Sequence, residues 1–347
     1  NSGKIAGGIR LENVAENDAG HQVLLEEKSQ LTGGVLLSTG VDKVTVKGSA
    51  DAIETQAGSD TVEIHSTGAA GKVELGADDD TLLLNGLQNV TIATENGSNY
   101  FSHASGDEGF DVFALDGSTV TVANTGAKTI ENFERIELTE SKLTLRGEEA
   151  LFLEDFAANM PTSDTDTDYK AQVAFKDAGS NLTLDIGTTH NGPFRYGWTM
   201  EGNGTLRVEG DADDLQERFA FDFGTDPEAD VLADWTGEHF TGKFELANAY
   251  TKLDGLTARA LRSSSAYVEN GAVLAVGRTE ANPDADGNEN VFSYLKELHF
   301  DGGTVVWDGD AAIAASSGTE MADRGQIIFT DSSRKVNLDG GTLDFGT

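Results

Sequence analysis

The stretch AGSDTVEIHSTGAAGKVELGADDDTLLLNGLQNVTI, residues 57–92, decides how this chain is read. Four apolar runs stand in it: Val62-Glu63-Ile64, Val73-Glu74-Leu75, Thr81-Leu82-Leu83-Leu84 and Val90-Thr91-Ile92. Each is closed by Gly, Asp or Asn, so each reads as a short strand followed by a turn. Side chains alternate across a strand, which sends Val62 with Ile64, and Val73 with Leu75, to one side and Glu63 and Glu74 to solvent. The runs recur every ~8 to 10 residues, too close for the helical crossovers of an α/β chain.

The same rhythm extends outward from this stretch. It covers Val35-Leu36-Leu37 and Val44-Thr45-Val46 before it, and Val112 to Leu115, Val120 to Val122, Ile136 to Leu138 and Leu143 to Leu145 after it. It resumes at Gln172 to Phe175, Leu182 to Ile186, Thr205 to Val208 and Phe219 to Phe223, then at Thr241 to Leu246, Gly271 to Gly277, Leu298 to Gly309 and Val336 to Gly346. Antiparallel sandwiches and barrels favour longer strands with two-residue turns at fixed phase. The expected fold is therefore all-β, a right-handed parallel β-helix with three short strands in each coil. At roughly 20 to 25 residues per coil the chain gives about 14 to 17 coils, stacked at ~4.8 Å. One interruption is expected near 148–168. Leu151, Phe152, Leu153 and Phe156 are spaced for one or two helical turns over 148–159, Pro161 ends them, and the acidic run 162–168 follows as a hinge. This divides the solenoid softly into coils 1–160 and 161–347.

Composition narrows the function classes. With 24 Lys and Arg against 60 Asp and Glu among 347 residues, the net charge is −36, which repels nucleic acid and anionic lipid. Cysteine is absent, which removes disulfides, thiolate metal sites and a Cys nucleophile. No apolar run reaches the ~18 residues of a membrane span. The opening residues, Asn1 to Gly8, lack a leader's charged and apolar regions and read as the start of a mature protein or fragment.

Several segments then carry a resemblance. LHFDGGTVVWDG at 298–309, its echo VNLDGGTLDFG at 336–346, FTGKFEL at 240–246 and AYVENGAVLAVG at 266–277 resemble rungs in the solenoid passenger domains of bacterial autotransporters. In them Asp-Gly-Gly supplies a tight turn and the next triplet is one rung. IENFERIELTESKLTL at 130–145 is similar to the degenerate coils of the same surface proteins. The resemblance implies a non-enzymatic adhesin, exported across the outer membrane to the bacterial cell surface. Its implied partners are further copies of itself or host glycans and matrix proteins, in adhesion, aggregation or biofilm formation. The alternatives are a β-helical polysaccharide lyase or hydrolase and a calcium-bound surface-layer protein.

Calcium is the candidate ion, because Gly/Asp turns can converge oxygens on a hard cation. The best single loop is Asp284, Asp286, Asn288 and Asn290 around Gly287, without the closing bidentate Glu of an EF-hand. The acidic hinge residues Asp164, Asp166 and Asp168 alternate in the same way without a Gly. The turn carboxylates at Asp60, Asp78 to Asp80 and Asp107 to Asp111 lie too far apart for a tandem nonapeptide calcium roll and read as solvated. The aromatic cluster Phe194, Arg195, Tyr196 and Trp198 is the candidate ligand contact, the other reading being that Phe194 and Trp198 fill or cap the core. Trp235 and Trp307 read as rung residues in the core or stacked along its side.

No catalytic set is expected. Gly20-His21-Gln22 and Arg135-Ile136-Glu137 depart from the Gly-His-Gly and Arg-Ile-Lys of polygalacturonase-like chains, and Gly58-Ser59-Asp60 reads as a turn instead of a protease nucleophile loop. The six His show no metalloprotease spacing and read as surface or rung positions.

Overall fold

The computed structural model describes residues 3–11, 20–93, 100–123, 129–147, 163, 169–187, 194–210, 217–221, 228–253, 259–269, 271–276, 296–307, 335–339 and 342–344. The chain is mostly β, with large parallel sheets, and falls into two compact units. One comprises Asn1–Phe156 with Gln172–Thr183, the other Ala157–Ala171 with Leu184–Thr347. The helical turns expected over 148–159 lie outside the described residues, as does the acidic run 162–168 apart from Ser163.

In the first unit the strands distribute over three sheets. One sheet includes Gln30–Leu31, Ser49–Glu54, Ala69–Ala77, His103–Glu108 and Ile130–Glu131. A second takes Gln22–Leu25, Lys43–Val46, Thr61–His65, Thr81–Asn85, Val112–Asp116, Arg135–Thr139 and Val173–Phe175. A third takes Gln88–Ala93, Thr119–Ala123, Lys142–Arg146 and Asn181–Asp185. From Thr81 to Arg146 the chain visits second, third and first sheet in turn, and every return to a sheet is parallel.

Register turns this order into a core. Val44, Val62, Leu82, Phe113, Ile136 and Val173 stand opposite one another on successive strands of the second sheet, as do Val46, Ile64, Leu84, Leu115, Leu138 and Phe175. All twelve are buried. Ile53, Val73, Ala104 and Ile130 line up on the first sheet, and Ile92, Val122 and Leu145 on the third. Each large apolar side chain so buried contributes about 1.5–3 kcal/mol of hydrophobic stabilisation, which offsets the chain entropy of ordering such short strands.

Close stacking also explains particular glycines. Gly76 has φ +110°, and a Cβ there would lie 1.7 Å from the carbonyl oxygen of Gln56, two residues beyond the neighbouring strand Ser49–Glu54. Only glycine fits a backbone this near its neighbour.

Most described strands of the second unit run parallel in two sets. Thr205–Glu209, Lys243–Ala247, Ser265–Glu269, Glu297–Asp301 and Lys335–Asp339 pair in succession as one; Phe194–Tyr196, Glu217–Phe221, Tyr250–Leu253, Val273–Val276, Thr304–Trp307 and Thr342–Asp344 pair as the other. Between them in sequence stands a helix, Glu228–His239, in a segment without an expected helix. Trp235 therefore sits on a helix and not in a rung. It is buried with Leu232 and Ala233, meets Tyr169 edge-on at 4.9 Å, and carries the His239 ring stacked on it at 4.0 Å. The Tyr169 hydroxyl bonds to that of Thr199 at 2.8 Å, and Thr236 Oγ1 accepts the Met200 N–H, so the polar groups beneath the helix are paired.

Candidate functional site

Among the described residues two places concentrate chemistry, a buried corner of the first unit and an outward sheet face of the second. The corner lies where the chain enters the second sheet. Asp42, Asp60, Asp80 and Asp111 each immediately precede a strand there, and each shares the parity of the inward residues that follow, as in Asp60, Val62 and Ile64. Asp42 and Asp60 are 2% exposed, Asp80 1% and Asp111 0%. The turn carboxylates at 60, 80 and 111 are thus buried and not solvated, a correction to the sequence reading.

They form a ladder. The Asp42 N–H donates to Asp60 Oδ1 at 2.6 Å, Asp60 N–H to Asp80 Oδ1 at 2.6 Å, and Asp80 N–H to Asp111 Oδ1 at 2.8 Å. The His21 N–H donates to Asp42 Oδ1 at one end, and Asp111 N–H to Glu134 Oε2 at the other. One oxygen of each Asp thereby satisfies a backbone donor that the sheet ladder leaves over. The other does not: Oδ2 of Asp42, Asp60, Asp80 and Asp111 is buried without a hydrogen-bond partner. Gly106 makes room for the last of them, since a Cβ there would lie 2.5 Å from Asp111 Oδ2.

Charge is costly in this arrangement. Unit charges one strand apart, at about 5 Å, repel by roughly 3 kcal/mol at an effective dielectric near 20. Burial pushes the Asp60 carboxyl up to about 6, although the Asp42 N–H and the nearby Thr55 hydroxyl oppose it and Asp42 and Asp78 add to it. Burial likewise raises Asp80 to about 8, against the Asp60 N–H and with the help of Asp111, Asp60 and Asp78. Asp111 rises to about 7 by burial, against the Asp80 N–H and with Glu134, Asp79 and Asp107 nearby.

A neutral version of the same ladder stands at the next corner, where the chain enters the third sheet. The Leu87 N–H donates to Ser118 Oγ and the Ser118 N–H to Ser141 Oγ, both at 3.0 Å, and the Ser141 N–H to Ser180 Oγ at 3.4 Å. The serine hydroxyls also donate, Ser118 to the Leu84 carbonyl and Ser141 to that of Thr139. Both hydroxyl functions are therefore used, whereas each aspartate uses half of its carboxyl.

No family model, curated protein or solved structure matches the chain. Its chemistry is therefore read from its own residues.

On the outward face of the second unit, Arg207, Glu245, Tyr267 and His299 form one row across four parallel strands. Arg207 grips Glu269 through both terminal nitrogens at 2.9 Å and reaches Glu245 at 3.2 Å. Its hydrogen bond to Glu269 raises the guanidinium pKa, despite burial, with Glu245 and Glu209 assisting. Tyr267 and His299 stack with ring centroids 4.3 Å apart and planes 8° from parallel; Lys243 Nζ lies 5.4 Å above the Tyr267 ring, and Glu297 bonds to His299 at 3.0 Å. The carboxylates around this half-buried aromatic pair can accept hydrogen bonds from hydroxyls. The rung spanning 266–277 contains the signal: Ala266 and Val268 point inward, so Tyr267 between them points out.

The sites anticipated from sequence fare differently. Asp284, Asp286, Asn288 and Asn290 lie outside the described residues, as do Asp164, Asp166 and Asp168. Phe194, Arg195 and Tyr196 form a strand that pairs with Phe219–Phe221, and Trp198 is buried, 7% exposed. Among the described residues no group of three or more His, Asp or Glu is arranged to hold a metal ion.

Proposed function

We propose that this chain is a non-enzymatic adhesion module, the exported passenger portion of a bacterial autotransporter, wound as a right-handed parallel β-helix. It joins cells to one another or to host surface glycans and proteins. The observation that carries this reading is the outward row from Arg207 to His299. In-register stacking fixes side chains at regular intervals on a half-buried outward face, with a stacked Tyr267–His299 pair set among carboxylates. Such a face suits repeated weak contacts to an extended partner, where affinity comes from multiplicity. The surface resemblance of the rungs at 240–246, 266–277, 298–309 and 336–346 supports the same reading.

The net charge of −36 sets the conditions. Two such chains repel at low ionic strength, so contact between copies strengthens as salt screens the repulsion. Beads coated with the chain are expected to clump, or to bind an immobilised neutral glycan, in 0.15 M salt, and Tyr267→Ala is expected to reduce this at least tenfold. Beads that neither clump nor bind glycan or matrix protein contradict the reading. Multiple turnover of polygalacturonate or alginate, measured as unsaturated uronate or reducing sugar, replaces it with an enzyme.

A further inference from the structure

The aspartate ladder belongs to none of the outward contacts and asks for its own account. Four carboxyls stack on the inward side of one corner, at most 2% exposed, each with one oxygen on a backbone N–H and the other on nothing. The groups set against them are mostly acidic: Asp78 beside Asp60 and Asp80, and Asp79, Asp107 and Glu134 beside Asp111. His21, whose Nδ1 lies 3.1 Å from Asp42 Oδ1, is the basic member of this set and stands at the first rung. An unpaired buried carboxylate is far more costly than a neutral carboxyl, and adjacent charges in a column compound the cost. A serine meets the same backbone need at the neighbouring corner without charge. No described group of side chains converges as a metal would require.

We propose that the aspartate column is a proton-binding element: the first unit takes up protons at Asp60, Asp80 and Asp111 as it folds, so mild acid tightens it and mild alkali loosens it. The sign follows from linkage. These carboxyls titrate higher in the folded chain than the ordinary 3.8, at about 6, 8 and 7 for Asp60, Asp80 and Asp111. Between pH 4 and 8 the folded unit therefore holds more protons than the unfolded chain, and its stability falls as the pH rises through that window. Each proton so held multiplies the unfolding constant about tenfold per pH unit. At the acid end of the window Asp60, Asp80 and Asp111 are neutral and their cost is least; at the alkaline end they must carry like charges in a buried stack. A surface module of this kind would be firmest in mildly acid surroundings.

The test uses the full chain. It is equilibrated in urea at pH 5, 6, 7 and 8, and a hydrogen-exchange pulse at one common pH then reads the folded fraction of peptides spanning residues 100–123. The midpoint is expected to fall from pH 5 to pH 8. Asp80→Asn, which keeps an oxygen for the Asp60 N–H but cannot ionise, is expected to flatten that fall and to be at least tenfold more stable than the parent at pH 8. Asp51→Asn, which removes the same charge from an exposed position, is expected to leave the fall unchanged. A midpoint that stays level or rises with pH overturns the proposal. If Asp80→Asn does not fold, infrared spectra of the parent chain carrying 13C-labelled aspartate decide: a label-shifted protonated carboxyl band at pH 7 supports the column, and its absence overturns it. Saturable stabilisation by calcium at pH 8, lost in Asp80→Asn, also overturns it, because the column would then hold a cation in place of protons.

Discussion

The backbone N–H of Ser118 is held by the hydroxyl oxygen of Ser141, 3.0 Å away and 23 residues on. The pairing repeats one strand earlier, where Ser118 Oγ accepts the Leu87 N–H. Ser118→Ala leaves that buried donor unsatisfied and is expected to cost about 1–3 kcal/mol. Urea unfolding followed by circular dichroism measures it; a loss within error of zero means that water reaches the corner.

Two glycines separate crowding from backbone strain. At Gly76 an added Cβ would lie 1.7 Å from the Gln56 carbonyl oxygen, whereas at Gly86, φ +71°, nothing stands within 4 Å. Gly86→Ala is expected to cost only its left-handed strain, about 1–2 kcal/mol. Gly76→Ala must also push two strands apart and is expected to cost more than twice as much, or to prevent folding. Equal losses in the same unfolding experiment contradict the close stacking.

Arg207 ties three strands through Glu209, Glu245 and Glu269. Lysine keeps the charge but loses the two-pronged grip, so Arg207→Lys is expected to destabilise the second unit by about 1 kcal/mol, less at high salt. Trp198 and Trp235 both lie in that unit, so tryptophan fluorescence reports its unfolding. A loss that grows with salt would point to packing instead of charge.

On the acid side the sign reverses. Burial raises the Glu137 carboxyl, but Arg135 and Lys176 outweigh it and hold it below its ordinary 4.5. That stabilisation is complete above the ordinary value and is lost as the pH falls through the lowered one. Glu137→Gln is expected to weaken the chain at pH 7 and to shrink its loss of stability between pH 5 and pH 3. An unchanged acid limb would show that other carboxylates govern acid unfolding.

Val62 with Ile64 and Val73 with Leu75 made the strands legible in the sequence, because alternation is local and needs no knowledge of partners. The aspartate corner was legible in principle by the same parity, since Asp60 precedes Val62 by two residues. In sequence it reads as solvated because an Asp in a Gly-rich turn looks alike whether it faces water or the interior. The partners that settle its place lie 18 to 31 residues away. The helix Glu228–His239 was missed for another reason: its buried residues, Leu232, Ala233, Trp235 and Thr236, mix small, polar and aromatic side chains and leave only a weak apolar stripe. Tyr267 and His299 were visible singly, but their stacking depends on register between strands 30 residues apart and more.

Everything rests on successive strands returning parallel and in register, and the absence of cysteine makes this directly measurable. Thr61 stands opposite Thr81 in the parallel pair Thr61–His65 and Thr81–Asn85. Neighbouring strands bring Cα atoms within disulfide reach. The double variant Thr61→Cys with Thr81→Cys is expected to oxidise readily within one chain, and Thr61→Cys with Asn85→Cys to stay reduced. The opposite result, with the 61 and 85 positions crosslinking, would mean antiparallel strands and would contradict the stacked core, its acidic corner and the outward rows together.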